Sequence, residues 1–221
     1  MPPASAVAAA DPVAATLRVY AQEADRYAGS YRTWVPASDG TDLAALLLQP
    51  LPAGAAVLDV GAGSGRDLGV LRQRGANATG VELCPAMAAH ARRYGPVVEA
   101  DMRTLPFEDS QVDGILAAAS LLHLPRRDAQ RALVEFRRVL RDGGRLTISV
   151  KEGQGEQWSS DGRYFQLWNA DQLTADVEAA GFDVVEAHRE PDSHRDGLWW
   201  LVHVAHAQEN WPFGTGGQPE R

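Results

Sequence analysis

The chain has 221 residues, 45% hydrophobic and 23% charged, which is enough to bury the core of one ordinary globular domain. A formal net charge of −8 excludes the broadly basic surface that phosphate neutralisation requires, so a nucleic-acid partner is not expected. The single cysteine, Cys84, excludes an intramolecular disulfide and a cysteine-based metal site, and it suits a reducing cytoplasm.

Residues 1–10 lack a basic stretch ahead of an apolar core and do not read as a secretory signal. They and residues 208–221 are rich in Pro, Gly or Ala and are expected to be tails around a domain at 11–207. No apolar run approaches the roughly 20 residues of a membrane span. A helix is expected over 11–27, with Asp11 as its cap and Pro12 in the first turn. A second should cover 43–48 and stop before Pro50, so that 11–50 forms a helical cap.

From residue 55 two periodicities alternate. Short apolar runs predict strands at 56–60, 78–82, 96–100, 112–119 and 145–150. Helical stretches fall between them at about 66–74, 85–94, 127–140 and 170–180. This alternation implies an α/β fold with a parallel sheet and helices on both faces. Two late strands, 182–188 and 198–207, have no helix between them and should pair as a hairpin that sets one antiparallel strand in the sheet. Arg126, Arg127, Arg131, Arg137, Arg138 and Arg141 read as the solvated face of a helix, because the apolar residues among them recur at helical spacing. The histidines at 188, 194, 203 and 206 are scattered, and no metal site is expected.

The sharpest local signal is Asp59-Val60-Gly61-Ala62-Gly63-Ser64-Gly65, between the first strand and its helix. Glycines there let the backbone turn sharply and leave room for a ligand against the main chain. The dinucleotide fingerprint Gly-x-Gly-x-x-Gly would put a glycine at 66, where this chain has Arg66. The run instead resembles the first motif of the class I S-adenosylmethionine-dependent methyltransferases. The resemblance covers about Tyr20 to Ala207 and includes Leu105-Pro106-Phe107, the Leu-Leu-His-Leu stretch at 121–124, and the Arg-Val-Leu, Gly-Gly pattern at 138–144.

The resemblance implies a single Rossmann-like domain with a seven-stranded, mostly parallel sheet. It implies S-adenosylmethionine as cofactor, held by Tyr20, Asp59, Gly61, Ala62, Gly63, Glu82, Leu83, Met87, Asp101, Met102 and Ala119. Glu82 would accept hydrogen bonds from the ribose hydroxyls, and Asp101 one from the adenine amino group. The fold's N-terminal helix would lie over the cofactor. His123 is the candidate base, since histidine titrates near neutrality, although in-line displacement also proceeds by positioning alone. Tyr31, Arg163 and Tyr164 are the candidate acceptor contacts. The implied reaction is methyl transfer to a small-molecule O, N or C nucleophile by a cytoplasmic monomer or homodimer. The alternatives are a tRNA-modifying methyltransferase or a non-methylating use of the cofactor, such as cyclisation of its aminobutyrate arm.

Overall fold

The computed structural model describes residues 11–31, 41–192 and 196–211. Its centre is a seven-stranded sheet of β1 (Ala56–Val60), β2 (Asn77–Glu82), β3 (Val97–Glu99), β4 (Val112–Ala118), β5 (Leu140–Lys151), β8 (Phe182–Pro191) and β9 (Trp199–Ala207), in the order β3-β2-β1-β4-β5-β9-β8. β1 to β5 pair in parallel, and β9 runs antiparallel between β5 and β8. The order reverses at β1, which pairs with β2 on one side and β4 on the other. That reversal opens the crevice at strand carboxyl ends where ligands of such sheets bind.

β1 is apolar at nearly every position because both faces are covered. Leu58 and Val60 pack with α6 (Arg126–Val139) and α7 (Ala170–Ala179), in a core that includes Leu133, Phe136, Leu173 and Val177. Val57 faces the other way, against Leu47 of α3 (Leu43–Leu48) and Leu68 and Leu71 of α4 (Arg66–Gln73). Truncating such a fully enclosed leucine to alanine typically costs about 2–5 kcal/mol.

The N-terminal helix departs from expectation. It splits at Glu23 into α1 (Pro12–Gln22) and α2 (Ala24–Tyr31), with Asp11 capping α1 through Val13 N and Ala14 N. Leu17, Tyr20 and Tyr27 from this pair pack on Cys84 and Met87, at and inside the start of α5 (Pro85–Ala91). α5 ends three residues earlier than expected.

The solvated-face reading of the arginines holds for Arg127 and Arg131, which are exposed, while Arg141 is exposed beyond the end of the helix; it is corrected for the other three. Arg137 is 4% exposed, and its guanidinium spans Asp142 and the Gln208 carbonyl. Arg126 pairs with Asp176, and Arg138 with Glu135 and Asp109. The glycines at 143–144 do not end α6 as expected. The helix stops at Val139, Leu140 already pairs with Val112, and residues 141–144 loop out before Arg145 pairs with Gly114. A two-stranded hairpin of β6 (Glu156–Trp158) and β7 (Tyr164–Gln166) follows β5, where periodicity predicts no strand.

Candidate functional site

A cavity of about 610 Å³ opens at the carboxyl ends of the parallel strands, under α1 and α2. Its volume lies in the range of small-molecule sites.

The turn after β1 is held by the neighbouring strand: Gly61 N–H and Ala62 N–H both donate to Val81 O (2.8 and 3.0 Å). The glycines answer different demands. A Cβ on Gly61 would lie 2.2 Å from Ser120 Cβ, and one on Gly65 would lie 2.6 Å from Ala91 Cα, so close packing requires both. A Cβ on Gly63 would meet only Met87 Cε at 3.7 Å and Gly61 O at 4.0 Å, in the cavity wall. Gly63 therefore leaves a cradle that packing within the chain does not use.

Glu82, at the end of β2, accepts from Gly63 N–H (2.8 Å) and Cys84 N–H (2.7 Å), one bond on each carboxylate oxygen. Burial raises its pKa against those two bonds. Each oxygen keeps a lone pair for a further donor, so the vicinal hydroxyls of a ribose fit. Asp59, expected among the residues that hold the cofactor, precedes this turn on β1. It is 2% exposed, lies outside the cavity wall, and its Oδ2 has no hydrogen-bond partner. Burial, then the neighbouring Asp67, push its carboxyl well above the usual range.

Further along, Leu83, Met87, Asp101 and Met102 line the wall together with Leu122 and Leu124. Burial would raise the Asp101 carboxyl, but the Arg103 guanidinium beside it holds it below the ordinary value. Ala119, the residue after β4, lies in the left-handed region (φ 50°), with its N–H on Ser149 O and Oγ (both 3.0 Å).

Part of the wall is aromatic, lined by Tyr20, Tyr27, Phe165 and Trp200 with His123, Lys151 and Arg163, and Tyr20 and Tyr27 join it to Met87. His123 sits on a single 3-10 turn, Leu121–His123, after β4. Its Nδ1 lies 2.9 Å from Tyr164 O, and its Nε2 lies 2.8 Å from the Tyr20 hydroxyl. A carbonyl only accepts, so Nδ1 carries the proton, and neutral Nε2 accepts from Tyr20. Burial, with Arg163 and Lys151 adding to it, pushes the His123 pKa down to about 4. The imidazole is neutral near pH 7. Arg163 lies 5.3 Å from the Phe165 centroid and 3.4 Å (Nη1) from the Tyr20 oxygen, and it pairs with Asp161 at 2.9 Å. Although burial alone would raise the Asp161 carboxyl, Arg163 holds it down to about 2.

Twelve of the expected site residues thus line one cavity: Tyr20, Gly61, Ala62, Gly63, Glu82, Leu83, Met87, Asp101, Met102, Ala119, His123 and Arg163. Tyr164 does not contribute its ring. It is 1% exposed, with its hydroxyl on Gln166 Oε1, and it reaches the site through its carbonyl on His123 and its N–H on Thr16 Oγ1. Tyr31 ends α2, and its side chain lies outside the described residues. Sequence reasoning missed Arg66, Asp67, Thr16, Phe165, Lys151 and Trp200 as wall residues. Arg66 and Asp67 were findable as the first helical residues after the glycines. Trp200 comes from β9 across the sheet, and no local pattern announces it. Among the described residues no cluster could hold a metal ion, and no helix is long and apolar enough to cross a membrane.

Residues 58–148 match the family model described as a methyltransferase domain. A putative methyltransferase of Encephalitozoon cuniculi is 31% identical over 161 residues, which span 62% of this chain and 74% of the relative. The chain spans 52% of the malonyl-[acyl-carrier protein] O-methyltransferase of Pectobacterium atrosepticum, at 35% identity over 136 residues and 59% of this chain. Most other curated relatives are likewise spanned over about half their length or less. The crystal structure of 1,6-didemethyltoxoflavin-N1-methyltransferase from Burkholderia thailandensis, with bound 1,6-didemethyltoxoflavin and S-adenosylhomocysteine, superposes with a TM-score of 0.72. The two share 27% identity, over 90% of this chain and 92% of that one.

Proposed function

Because this chain belongs to the class I S-adenosylmethionine-dependent methyltransferases, we propose that it methylates a small molecule carrying an aromatic or heteroaromatic ring, seated against the aromatic wall of the cavity. The observation that carries the reading is one cavity that joins the glycine loop to an aromatic wall of Tyr20, Phe165 and Trp200, with the Tyr20 hydroxyl on a neutral His123. The Burkholderia neighbour, which holds 1,6-didemethyltoxoflavin beside S-adenosylhomocysteine, supports a small-molecule acceptor.

The cofactor, when bound, supplies an electrophilic methyl group on a sulfonium. The chain's own residues bind and orient. The Gly63 cradle and the surrounding loop take the methionine portion, and the Glu82 oxygens accept from the ribose hydroxyls. Asp101 accepts from the adenine amino group, with Leu83 and Met102 as apolar walls of the ring. Asp59, under the loop, acts on its conformation rather than on a ligand directly.

Both His123 nitrogens are engaged, so an acceptor reaches the imidazole through the Tyr20 hydroxyl bound to Nε2. A proton lost by the acceptor is received at the Tyr20 oxygen as Tyr20 passes its own to His123 Nε2. This replaces direct abstraction by His123 with a two-step transfer. Holding the nucleophile in line supplies the larger share of rate, since effective molarities reach about 10⁵ M or more in well-oriented systems.

Against a nucleic-acid acceptor, Arg126, Arg137 and Arg138 of the arginine-rich helix are paired with Asp176, Asp142 and Glu135. The test incubates the protein with S-adenosylmethionine and, separately, hydroxylated and amino heteroaromatics, bulk tRNA, or no acceptor, and measures S-adenosylhomocysteine and methylthioadenosine. Product formed with members of the heteroaromatic set supports the reading. Methylation of tRNA alone overturns it, and so does methylthioadenosine formed from the cofactor without any acceptor.

A further inference from the structure

We propose that Arg103, from outside the cavity, is a positioning residue for purine recognition that holds Asp101 so that its carboxylate accepts an amino group and rejects a 6-oxo group. The proposal rests on the reading of Asp101 given above. Arg103 does not line the cavity, whereas Asp101 does. Its backbone N–H donates to Asp101 Oδ1 at 2.8 Å, its Nε lies 3.0 and 3.1 Å from Oδ1 and Oδ2, and its Nη2 lies 2.6 Å from Oδ2. Its remaining arm, Nη1, donates to Asp128 at 2.7 Å, in the first turn of α6.

A carboxylate offers about four lone-pair sites. Three Arg103 donors (N, Nε and Nη2) meet them in four contacts, with Nε shared between the two oxygens, so the carboxylate has room for one further donor, which matches a single N–H of an amino group. Asp101 lies in the irregular segment after β3, so no ladder of backbone bonds fixes it. The planar guanidinium does so instead, bracing it against a helix of the central domain. Lysine, a point charge on a flexible stem, does not reproduce a fork. A carboxylate kept ionised and fixed is an acceptor only. A 6-oxo purine would set an oxygen against it and leave both groups unpaired, which sites of this kind reject strongly.

The experiment is titration calorimetry on the full chain with S-adenosylhomocysteine and with S-inosylhomocysteine, its 6-oxo counterpart. The wild type is expected to favour the adenine ligand by about 100-fold. Arg103→Met should weaken the adenine ligand by about tenfold and leave the inosine ligand nearly unchanged, so that the ratio collapses. Arg103→Lys, which keeps the charge and guards against a folding defect in the first variant, should fall between them. A merely structural role would weaken both ligands alike and preserve the ratio. That result, or an unchanged ratio in both variants, overturns the assignment of Arg103 alone. A wild type that binds both ligands equally overturns the Asp101 reading and the proposal with it.

Discussion

At the glycine loop of the cavity, Gly61 and Ala62 hang from Val81 on the strand next door. At the aromatic wall, Tyr20 meets His123 from 103 residues away and Arg163 from 143 residues away. The first region is made of main chain whose path two adjacent parallel strands dictate. The second is made of side chains delivered by α1, a 3-10 turn, β7 and β9. The two also differ in electrostatics. A buried carboxyl, Asp59, and a half-buried one, Glu82, both with raised pKa values, sit at the first, and a half-buried imidazole with a lowered one at the second. A backbone site admits few substitutions and places its ligand by geometry, whereas a side-chain site fixes its ligand by whichever residues are brought together.

The largest effect that would break this contrast is at Gly61. Its φ of +78° and the 2.2 Å approach to Ser120 predict that Gly61→Ala costs about 3–5 kcal/mol in urea unfolding, because neither backbone can yield freely. Gly63→Ala, strained only by its φ of +56°, should cost about 1–2 kcal/mol yet lower the affinity for S-adenosylhomocysteine, since its methyl enters the cradle. Equal stability losses in the two variants would contradict the division of labour among the glycines.

The next effect is on pH. His123 has a folded pKa of about 4 against about 6.5 in the unfolded chain, so below pH 6.5 the unfolded state binds more protons. Its contribution is therefore undiminished above pH 6.5 and is lost as pH falls from 6.5 to 4, by about 2–3 kcal/mol. Asp59 and Glu82, raised by burial, act in the opposite sense and relieve a penalty on acidification. Replacing His123 with Gln should flatten the fall of stability between pH 6.5 and 4, and Asp59→Asn should steepen it. Chemical denaturation across that range is the measurement, and a His123→Gln curve parallel to the wild type would refute the assignment.

The smallest effect sharpens the boundary between the two regions. Tyr20→Phe removes the 2.8 Å bond and should cost about 1 kcal/mol, while affinity for S-adenosylhomocysteine stays within about threefold. A large loss of cofactor affinity would return Tyr20 to the cofactor-binding role that the family resemblance implies for it.

What was legible in the sequence follows the same line. Strand periodicity, the glycine turn and the acidic residues at the ends of β1 and β2 are local signals, and residues 56–60 and 43–48 form the expected elements to the residue. The β6–β7 hairpin has three-residue strands, too short for alternation to stand out from a loop. The break at Glu23 has no proline or glycine to announce it. Arg137 reads as solvated because helical spacing says nothing of the carbonyl of Gln208 that lies 71 residues on. Asp101 reads as a ligand group while its engagement with Arg103 and Asp128 stays hidden, since the second partner arrives only when α6 packs.

The stretch that matches the methyltransferase family, residues 58–148, contains the glycine turn, Glu82, Asp101 and His123. It contains none of Tyr20, Arg163, Phe165 or Trp200. The aromatic wall is therefore supplied by segments on either side of the matched stretch, with His123 as its one named member inside it. Exchanging α1 and the β6–β7 hairpin between relatives would graft a new acceptor preference onto an unaltered cofactor half. His123 is the joint at which such a graft must fit, because it needs a hydroxyl from the incoming helix and a carbonyl from the incoming hairpin.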